Sequence, residues 1–579
     1  MDTRHSRTTL TWRLLALLMT IVVIAAGCAA PTPAVVQQVI TQPPQIQTQI
    51  VVNTQLVPAT QLVPATQLVQ TVVTATPVPP KIGNGNSLTI GITSGSGPLS
   101  PFFCIGGYCY APLATLLLGL TTHDDKGQPV PSLATSWEAN ATADEWTFHL
   151  DPKAVWSDGT PLTANDVAWT YETCLDPATG CTMTRHAQLN LIKGASTFKG
   201  GADQHVPGIT VVDDHTIKFT LEAPDATFVN EMWQGIVPEH VLKDVPHAQL
   251  KTDPFNANGP TVVSGPMKFV MRQGDEFYQL AKNDKYSGKP AQFDTVIMKA
   301  LDDTTAASQL ESGEIELGRI PASEAARLST LPQLNVTFSP VDLVYYWIIN
   351  TKKSYLKDPK IRQALLYAID RKDVLQYAWE GNGTVGVPPF APDWAVNPSL
   401  NQYGFDAAKA KAMLTAAGWD WKQKVVIMVG PWPDNVKPAE DTQALLSNLG
   451  INAEVRLISA AAWTPEQEGE NWDIGMNAGF WSADPSLMAA DWTCNGWNSK
   501  VTGWCSQDLD KLAAQGLTTT DVTQRKGIYG QISQILNDQL PFLPLYATGT
   551  PWGVNKGLQG TKLPTDWLFE TWNFTDWHR

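Results

Sequence analysis

The segment that decides the fold of this chain is residues 116–172, which read LLLGLTTHDDKGQPVPSLATSWEANATADEWTFHLDPKAVWSDGTPLTANDVAWTYE. Three pieces follow one another in it: PSLATSWE, then WTFHL, then WSDGTPLTANDV. The segment also contains a cluster of possible metal ligands, His123, Asp124 and Asp125. Because Lys126 and Gly127 follow at once, the cluster predicts a polar turn between two strands rather than a metal site.

Strand-like and helical patterns alternate around this segment. Short runs with β-strand character occur at SLTIGIT (87–93), TIKFTLEA (216–223), TVIMKAL (295–301) and VVIMVG (425–430). Residues 358–381 keep close to a 3.6-residue apolar period and predict a helix that ends at Gly381. A second helix is predicted over 405–419, with Gly418 as its C-terminal stop. Strands that alternate with helices predict an α/β body.

Length and charge limit the class of protein. At 579 residues the chain is too long for one hydrophobic core, so two or three domains are expected. Its formal net charge is −15. An acidic chain without basic runs argues against nucleic-acid binding, because phosphate contacts need clustered Lys and Arg.

No catalytic constellation stands out in the sequence. HExxH, GxSxG and the Walker pattern GxxxxGK[ST] are all missing. A GxGxxG pattern does occur at Gly381, Gly383 and Gly386, but a predicted helix precedes it and the residues VPP follow it. A dinucleotide site needs a strand before the pattern and a helix after it. The sequence therefore predicts a protein that is not an enzyme and that holds no cofactor or metal.

Tryptophan is unusually frequent, at 22 of 579 residues. Several lie near Gly, Pro or Asp in predicted loops, namely Trp394, Trp432, Trp481 and Trp497. Tryptophan rings bury a large area and offer flat faces with one N–H donor. Most single tryptophans are expected in cores or between domains, but the excess also suggests a cleft that grips apolar, aromatic or sugar-ring groups.

The N-terminus has the pattern of an export signal. Arg4, Arg7 and Arg13 flank or precede the apolar run LLALLMTIVVIAAG, which is about as long as secretory signals use and shorter than a membrane span. The small residues before Cys28 resemble the lipobox of bacterial lipoproteins, in which the cysteine is acylated and becomes the mature N-terminus. We therefore expect a signal peptide over residues 1–27 and a lipid on Cys28; a plain signal peptide with an incidental cysteine is the alternative.

Residues 28–85, which follow, are low in charge and rich in Pro, Thr, Val and Gln. The repeat TQLVPA occurs at 54–59 and again at 60–65, and TQLV follows at 66–69. A β-solenoid would need more copies to stack a core, so the segment is interpreted as an extended tether behind the lipidated cysteine.

The other six cysteines fall into three close pairs: Cys104 and Cys109, Cys174 and Cys181, and Cys494 and Cys505. In an exported chain such pairs predict disulfides. A zinc site would need CxxC-type spacing with histidine partners, and no pair has it.

As a whole, residues 116–172 resemble the signature segment of the bacterial extracellular solute-binding proteins of family 5. This is the oligopeptide-, dipeptide- and nickel-binding group of ABC importers. The most specific pieces are PSLATSWE, and WTFHL followed by WSDGTPLTANDV. Further landmarks follow in the family's order across residues 87–579, among them VVDDHTIKFTLEAP, IVPEHVL, VVSGPMKF, QLESGEIELG and LPFLPLY.

The resemblance implies an α/β fold of the periplasmic-binding-protein type (type II, cluster C), with two lobes about a hinge and an extra domain. By position in the sequence, lobe one is expected from residues 86–120, 205–342 and 530–579. The extra domain is expected over 121–204 and lobe two over 343–529. The lobes would enclose a ligand by closing about the hinge.

The resemblance also implies a ligand-binding aspartate. In peptide-binding members, an aspartate of lobe two pairs with the α-amino group of the ligand, and the matching stretch AGFWSADPS supplies Asp484 together with Trp481. The stretch departs from the family because Pro485 follows Asp484 directly. Asn477 stands roughly where oligopeptide binders carry an arginine, which argues against capture of a free carboxylate there.

Three further residues are expected at the cleft. Gly265, in VVSGPMKF, matches a glycine turn of the family, although a structural role fits it equally. Tyr346 and Trp432 lie on a strand and a loop that are expected to face the cleft. Cys494 and Cys505 resemble a disulfide that some members carry close after the aspartate.

The function expected from these features is that of an extracytoplasmic receptor that captures an oligopeptide or dipeptide and delivers it to the permease and ATPase subunits of an ABC importer. An oligosaccharide receptor of the same family is the alternative, which the tryptophan excess and Asn477 favour, whereas Asp484 favours peptides. A nickel-binding role has no histidine pair to support it. A hydrolase or a sensory receptor that uses the same fold is a hypothesis from another class; a hydrolase would need a nucleophile–base pair, of which the sequence shows no evidence. We expect a monomer, anchored by lipid to the outer face of the cell membrane.

Overall fold

The computed structural model describes residues 86–579, with gaps at 96, 105, 183–188, 202–204, 340–342, 387–392, 396, 460–461, 481–483 and 564–570. The predicted signal peptide and tether, with Cys28, lie outside the described residues, and so does Trp481. Among the described residues, no helix has both the length and the apolar character needed to cross a membrane.

Strands and helices follow one another along the chain. The strands are β1 (Ser87–Thr93), β2 (Thr121–His123), β3 (Pro129–Pro131), β4 (Ala134–Ala139), β5 (Glu145–Leu150), β6 (Ile209–Asp213), β7 (Thr216–Thr220), β8 (Met267–Gln273), β9 (Phe277–Lys282), β10 (Thr295–Leu301), β11 (Leu317–Arg319), β12 (Leu334–Phe338), β13 (Leu343–Ile349), β14 (Lys424–Val429), β15 (Asn452–Leu457), β16 (Ile474–Phe480), β17 (Phe542–Thr548) and β18 (Pro551–Asn555). The helices are α1 (Gly107–Leu116), α2 (Ala164–Leu175), α3 (Glu239–Leu242), α4 (Pro254–Ala257), α5 (Asp303–Ser312), α6 (Ala322–Ser329), α7 (Pro359–Tyr367), α8 (Arg371–Trp379), α9 (Ala407–Ala416), α10 (Pro433–Leu449), α11 (Trp463–Glu468), α12 (Ser486–Asp491), α13 (Trp497–Thr502), α14 (Gln507–Leu517) and α15 (Val522–Gln539). The predicted α/β class is confirmed.

One predicted helix is in fact two. The apolar period over 358–381 continues through α7 and α8, but the chain breaks between them at Asp370, whose carboxylate accepts hydrogen bonds from the backbone N–H groups of Lys372 and Asp373. An aspartate in this position caps the start of a new helix. The second helix ends at Trp379; Glu380, which follows it and directly precedes the predicted stop Gly381, has a left-handed φ of 53°.

Lobe one is built around a seven-stranded sheet with the order β12-β18-β11-β1-β10-β9-β8. Its central strands β1 and β10 have the bounds predicted from the sequence, and they pair in parallel over their whole length. Leu88, Ile90 and Ile92 of β1 are all buried, because the period-two pattern of LTIGI places one side of the strand on the core.

Residues 116–172 form the smaller sheets beside lobe one. Asp124 accepts hydrogen bonds from the N–H groups of Lys126 and Gln128, which confirms the polar turn, here between β2 and β3. The four-stranded sheet has the order β4-β5-β7-β6, so it also takes β6 and β7 from beyond the boundary predicted at residue 204. Its side chains share one continuous core with lobe one.

Lobe two is built around a five-stranded sheet with the order β15-β14-β16-β13-β17. Its strand β13 reads LVYYWII and is packed on both faces. Tyr345, Trp347 and Ile349 join one core cluster, whereas Tyr346 and Ile348 join another on the opposite face. A strand covered on both sides needs a continuous apolar run.

The chain crosses between the two sheets twice, at neighbouring positions. It leaves β12 at Phe338 and enters β13 at Leu343, and it returns from β17 at Thr548 to β18 at Pro551. The predicted return at residue 530 falls inside α15. It moves to 549–550 because β17 pairs with β13 and therefore belongs to the sheet of lobe two.

Three disulfides close short loops in this structure. They join Cys104 to Cys109, Cys174 to Cys181, and Cys494 to Cys505, which confirms the predicted pairs.

Candidate ligand-binding cleft

The parallel strands of lobe two all end at one edge of their sheet. β14 runs parallel to both β15 and β16, so the three carboxyl ends lie together. At the same edge Leu343, the first residue of β13, pairs with Phe480 at the end of β16 and with Thr548 at the end of β17. In open α/β sheets, ligands bind outside the carboxyl ends of the strands.

Lobe one turns the corresponding edge of its own sheet toward the crossovers. β1 is parallel to β10 and β11, and β12 ends at Phe338, where it pairs with Pro551 at the start of β18. Both crossovers therefore leave one carboxyl edge and arrive at the other. The space between these two edges is the candidate ligand-binding cleft.

One part of the cleft lies beside the crossovers, and we call it the hinge compartment. It has a volume of about 1020 Å³ including its open mouth. Lobe one contributes Asp303 and Arg319 to it, and lobe two contributes Tyr345, Trp379 and Lys437. The Tyr345 and Trp379 rings lie 5.8 Å apart between centroids.

Two donors in the walls of the hinge compartment have no acceptor among the described residues. They are the indole Nε1–H of Trp379 and the Nε–H of Arg319, and both atoms are buried. Arg319 approaches Asp303 with its Nη2, at 3.6 Å. Because a buried donor without an acceptor is unfavourable, this compartment suits a ligand with carbonyl or carboxylate oxygens.

A second part of the cleft, the outer compartment, lies between the four-stranded sheet and lobe two. Its volume is about 920 Å³ including open space. Trp137 and Trp146 line it from the side of lobe one, and Trp394, Asp484 and Arg525 line it from lobe two. Beside it the backbone N–H of Ala226 donates to the carbonyl of Leu517 at 2.7 Å, which bridges the lobes.

Asp484 forms an ion pair with Arg525 inside lobe two. The Nη1 and Nη2 atoms of Arg525 lie 2.6 and 2.8 Å from the two carboxylate oxygens of Asp484. Each side chain is only 7% exposed. Burial alone would lower the pKa of Arg525, but its bonds to Asp484 outweigh burial and raise it. The predicted contact of Asp484 with a ligand amino group stays a prediction.

Trp432 lies at the carboxyl edge of the lobe-two sheet, but it is in the lining of neither compartment, and its predicted contact with a ligand stays a prediction. It directly precedes α10 and is 43% exposed. Its ring lies 6.1 Å from that of Trp463, nearly perpendicular to it, and Leu457 at the end of β15 is exposed at the same edge. A Cβ atom on Gly430 would stand 2.0 Å from the Trp432 ring, so only glycine lets the indole fold back over this turn.

Tyr346 and Gly265 have surroundings that differ from a cleft surface. Tyr346 was expected to face the cleft, but it is 1% exposed in the core of lobe two, where its hydroxyl accepts a hydrogen bond from Asn498. Gly265 packs against the end of α1: its N–H donates to Leu116, and a Cβ atom would stand 2.4 Å from the carbonyl oxygen of Thr115.

Packing in the cores accounts for part of the tryptophan excess. Six tryptophans are among the largest fully buried side chains: Trp156, Trp347, Trp472, Trp492, Trp552 and Trp577.

Among the described residues, no group of three or more His, Cys, Asp or Glu side chains is arranged to hold a metal ion.

Apart from Asp484, sequence reasoning missed the residues with polar groups that line the two compartments. Arg525 lies on α15 and Lys437 on α10, where single charges are typical of a solvated helix face. Arg319 ends the short strand β11, and Trp379 ends α8. Only the topology brings these positions to the two carboxyl edges, and nothing local in the sequence marks them.

Comparisons with known proteins agree with this geometry. The model of the bacterial extracellular solute-binding proteins, family 5, middle region, matches residues 128–499. The chain is 26% identical over 474 residues to heme-binding protein A of Haemophilus influenzae, covering 77% of this chain and 84% of that protein. It is 26% identical over 469 residues to the oligopeptide-binding protein AppA of Bacillus subtilis, covering 76% and 82%. The crystal structure of the ABC transporter substrate-binding protein CtaP of Listeria monocytogenes matches with a TM-score of 0.72 at 22% identity, covering 86% of this chain and 99% of that one.

Proposed function

The chain belongs to the bacterial extracellular solute-binding proteins of family 5, and from that premise we propose that it captures peptides outside the cytoplasm and delivers them to an ABC importer. It is a receptor rather than an enzyme, since members of this family bind solutes. The observation that carries the proposal is the cleft between two carboxyl edges that are joined by two adjacent crossovers. Such a connection allows the lobes to close on a ligand about a hinge.

Peptide is the ligand class that the cleft supports best. The buried Nε1–H of Trp379 and Nε–H of Arg319 both lack acceptors among the residues described, and a peptide backbone offers carbonyl oxygens in series. The similarity to an oligopeptide-binding protein points the same way. The oligosaccharide alternative is not favoured, because similar proteins are named as oligopeptide- and dipeptide-binding proteins.

The protein's position at the cell surface is a further part of the proposal. The signal pattern over residues 1–27 and the lipobox-like residues before Cys28 support a lipid anchor. The segment over 28–85 would then act as the tether of a monomeric receptor. Metabolic labelling with a palmitate analogue tests this: label should enter the protein and should be lost in Cys28→Ser.

Thermal unfolding against a ligand panel tests the proposed function. The panel contains mixed di- to pentapeptides, cello-oligosaccharides and haemin, the last because of the heme-binding relative. A ligand that binds only the folded state stabilises it by about 2.7 kcal/mol at a hundredfold excess over its Kd. We expect peptides to raise the unfolding temperature. If only the oligosaccharides or only haemin raise it, the proposal is wrong.

A further inference from the structure

The Asp484–Arg525 pair bears on which peptides this receptor takes. We propose that Arg525 occupies the place of a ligand ammonium at Asp484, so that the receptor accepts peptides whose amino end is blocked or uncharged. This inference rests on the proposed peptide-binding function and defines the chemistry of one end of the ligand.

The first support is that both oxygens of the Asp484 carboxylate already accept hydrogen bonds from the protein. One oxygen accepts hydrogen bonds from Nη2 of Arg525, at 2.8 Å, and from the backbone N–H of Ser486, at 3.0 Å. The other accepts from Nη1 of Arg525 at 2.6 Å. A two-pronged arginine contact of this kind is among the stronger hydrogen-bonded pairs in proteins. An incoming ammonium would have to break it.

The second support is that Arg525 is held by more than Asp484. Its Nε donates to the carbonyl of Gly516 at 3.3 Å, and its guanidinium lies over the rings of Trp394 and Tyr529, at 5.5 and 5.3 Å from their centroids. The Arg525 side chain is only 7% exposed. Displacing it would leave a buried cation without its partner, which is strongly unfavourable.

The third support concerns Asp225, which directly precedes Ala226 in the opposite wall of the outer compartment. Asp225 is 3% exposed and accepts hydrogen bonds from both the N–H and the hydroxyl of Thr227, each at 2.7 Å. Burial raises the pKa of Asp225 above its usual range, although its bonds from Thr227 act against this. Its carboxylate is therefore enclosed and already bonded, so it is a poor receptor for a ligand cation.

Around the Asp484–Arg525 pair, a ligand meets an ion pair that is already formed and is edged by an indole ring. Trp394 lies against Arg525, and Trp137 and Trp146 line the side of lobe one. The surface at this pair favours an acyl cap or an apolar side chain over a free ammonium, because the Asp484 carboxylate is already bonded to Arg525 and does not compensate the ammonium for its lost hydration. The exposed Glu138 lines the same compartment on the side of lobe one, where it lies beside His149.

The test is calorimetric titration of the wild-type protein with one tetrapeptide mixture in two forms, free and N-acetylated. We expect the two dissociation constants to agree within about threefold, whereas loss of a real ammonium–carboxylate contact would cost about a hundredfold. If only the free form binds, this inference is overturned and the peptide function stands. If neither form binds, the peptide function fails and this inference fails with it.

Two variants sharpen the result. In Asp484→Asn, we expect the affinities for the free and acetylated forms to change by the same factor; a loss confined to the free form would overturn the proposal. Asp508→Asn is the matched control, because Asp508 is an exposed aspartate of α14 that is in the lining of neither compartment. Its free-to-acetylated ratio should equal that of the wild type. If Asp484→Asn does not fold, the wild-type comparison still decides.

Discussion

Ser339 and Thr550 are hydrogen-bonded to each other in both directions where the chain crosses between the lobes. The N–H of Ser339 donates to the carbonyl of Thr550 at 2.9 Å, and the N–H of Thr550 donates to the Ser339 hydroxyl at 2.8 Å. Both residues are largely buried. The two crossovers are thus tied into one unit, so they can turn together when the lobes close.

Removing the Ser339 hydroxyl should weaken this connection. In Ser339→Ala the buried N–H of Thr550 loses an acceptor, which should lower the free energy of unfolding by about 1 to 3 kcal/mol. Urea unfolding measures the loss, and Ser339→Thr, which keeps the hydroxyl, serves as the control. Equal stability of Ser339→Ala and the wild type would show that the bond to Thr550 contributes nothing.

Breaking the Asp484–Arg525 pair from one side should be costly. Asp484→Asn leaves Arg525 buried without a charged partner, so we expect a loss of about 3 kcal/mol in unfolding free energy. Arg525→Met should cost a similar amount. The double variant should lose clearly less than the sum of the two, because the pair is absent in both single variants. Strict additivity in urea unfolding would contradict the contact.

Trp432 should matter for binding and little for stability. It is 43% exposed at the carboxyl edge, so Trp432→Ala should leave the unfolding free energy within about 0.5 kcal/mol. Loss of its flat surface should lower peptide affinity by about tenfold in calorimetric titration. Trp497→Ala is the control, since Trp497 is similarly exposed but does not follow β14 or β15. Equal affinity losses in the two variants would remove Trp432 from the site.

Stability should fall in mild acid because of His123. Burial lowers its pKa from 6.5 to about 4, so the unfolded chain takes up a proton in this range and the folded protein does not. Above pH 6.5 the histidine is neutral in both the folded and the unfolded state, so it does not change the free energy of unfolding. As the pH drops from 6.5 toward 4, only the unfolded chain gains the proton, and the free energy of unfolding falls. Between pH 7.5 and 5.0 the loss should be about 2 kcal/mol.

His123→Gln checks this assignment. The glutamine amide can still bond to the carbonyl of Asn230, which lies 2.8 Å from Nε2 of His123, but it does not titrate. Urea unfolding at the two pH values should show a smaller loss for the variant by about that amount. The same loss in both proteins would assign the pH dependence to other groups.

The sequence predicted the bounds of strands and the disulfide pairs better than it predicted which side chains point toward the cleft. The strand bounds at 87–93 and 295–301 were predictable because each is a short β-branched run between polar residues. The direction of Tyr346 was not, because β13 is apolar throughout and either face could have been the cleft. The return of the chain at 549–550 depends on β17 pairing with β13, which no local pattern specifies.

The ion pair at Asp484 shows the same limit for the candidate site. Asp484 and Arg525 are 41 positions apart, and each alone has an ordinary surface pattern. Only the fold brings Arg525, on α15, to Asp484, which lies just before α12. The ligand contact was predicted for Asp484 from the residues next to it in the sequence. Those residues give no information about Arg525, which reaches Asp484 only through the fold.

Strand β18 is needed to complete the sheet of lobe one, although it comes late in the sequence. This strand lies between β11 and β12 and pairs with both, although it is the last strand described along the sequence. The sheet of lobe one therefore stays incomplete until residues 551–555 have been made and have paired. A product clipped before Pro551 would lack an inner strand of lobe one and could not form the lobe-one wall of the cleft.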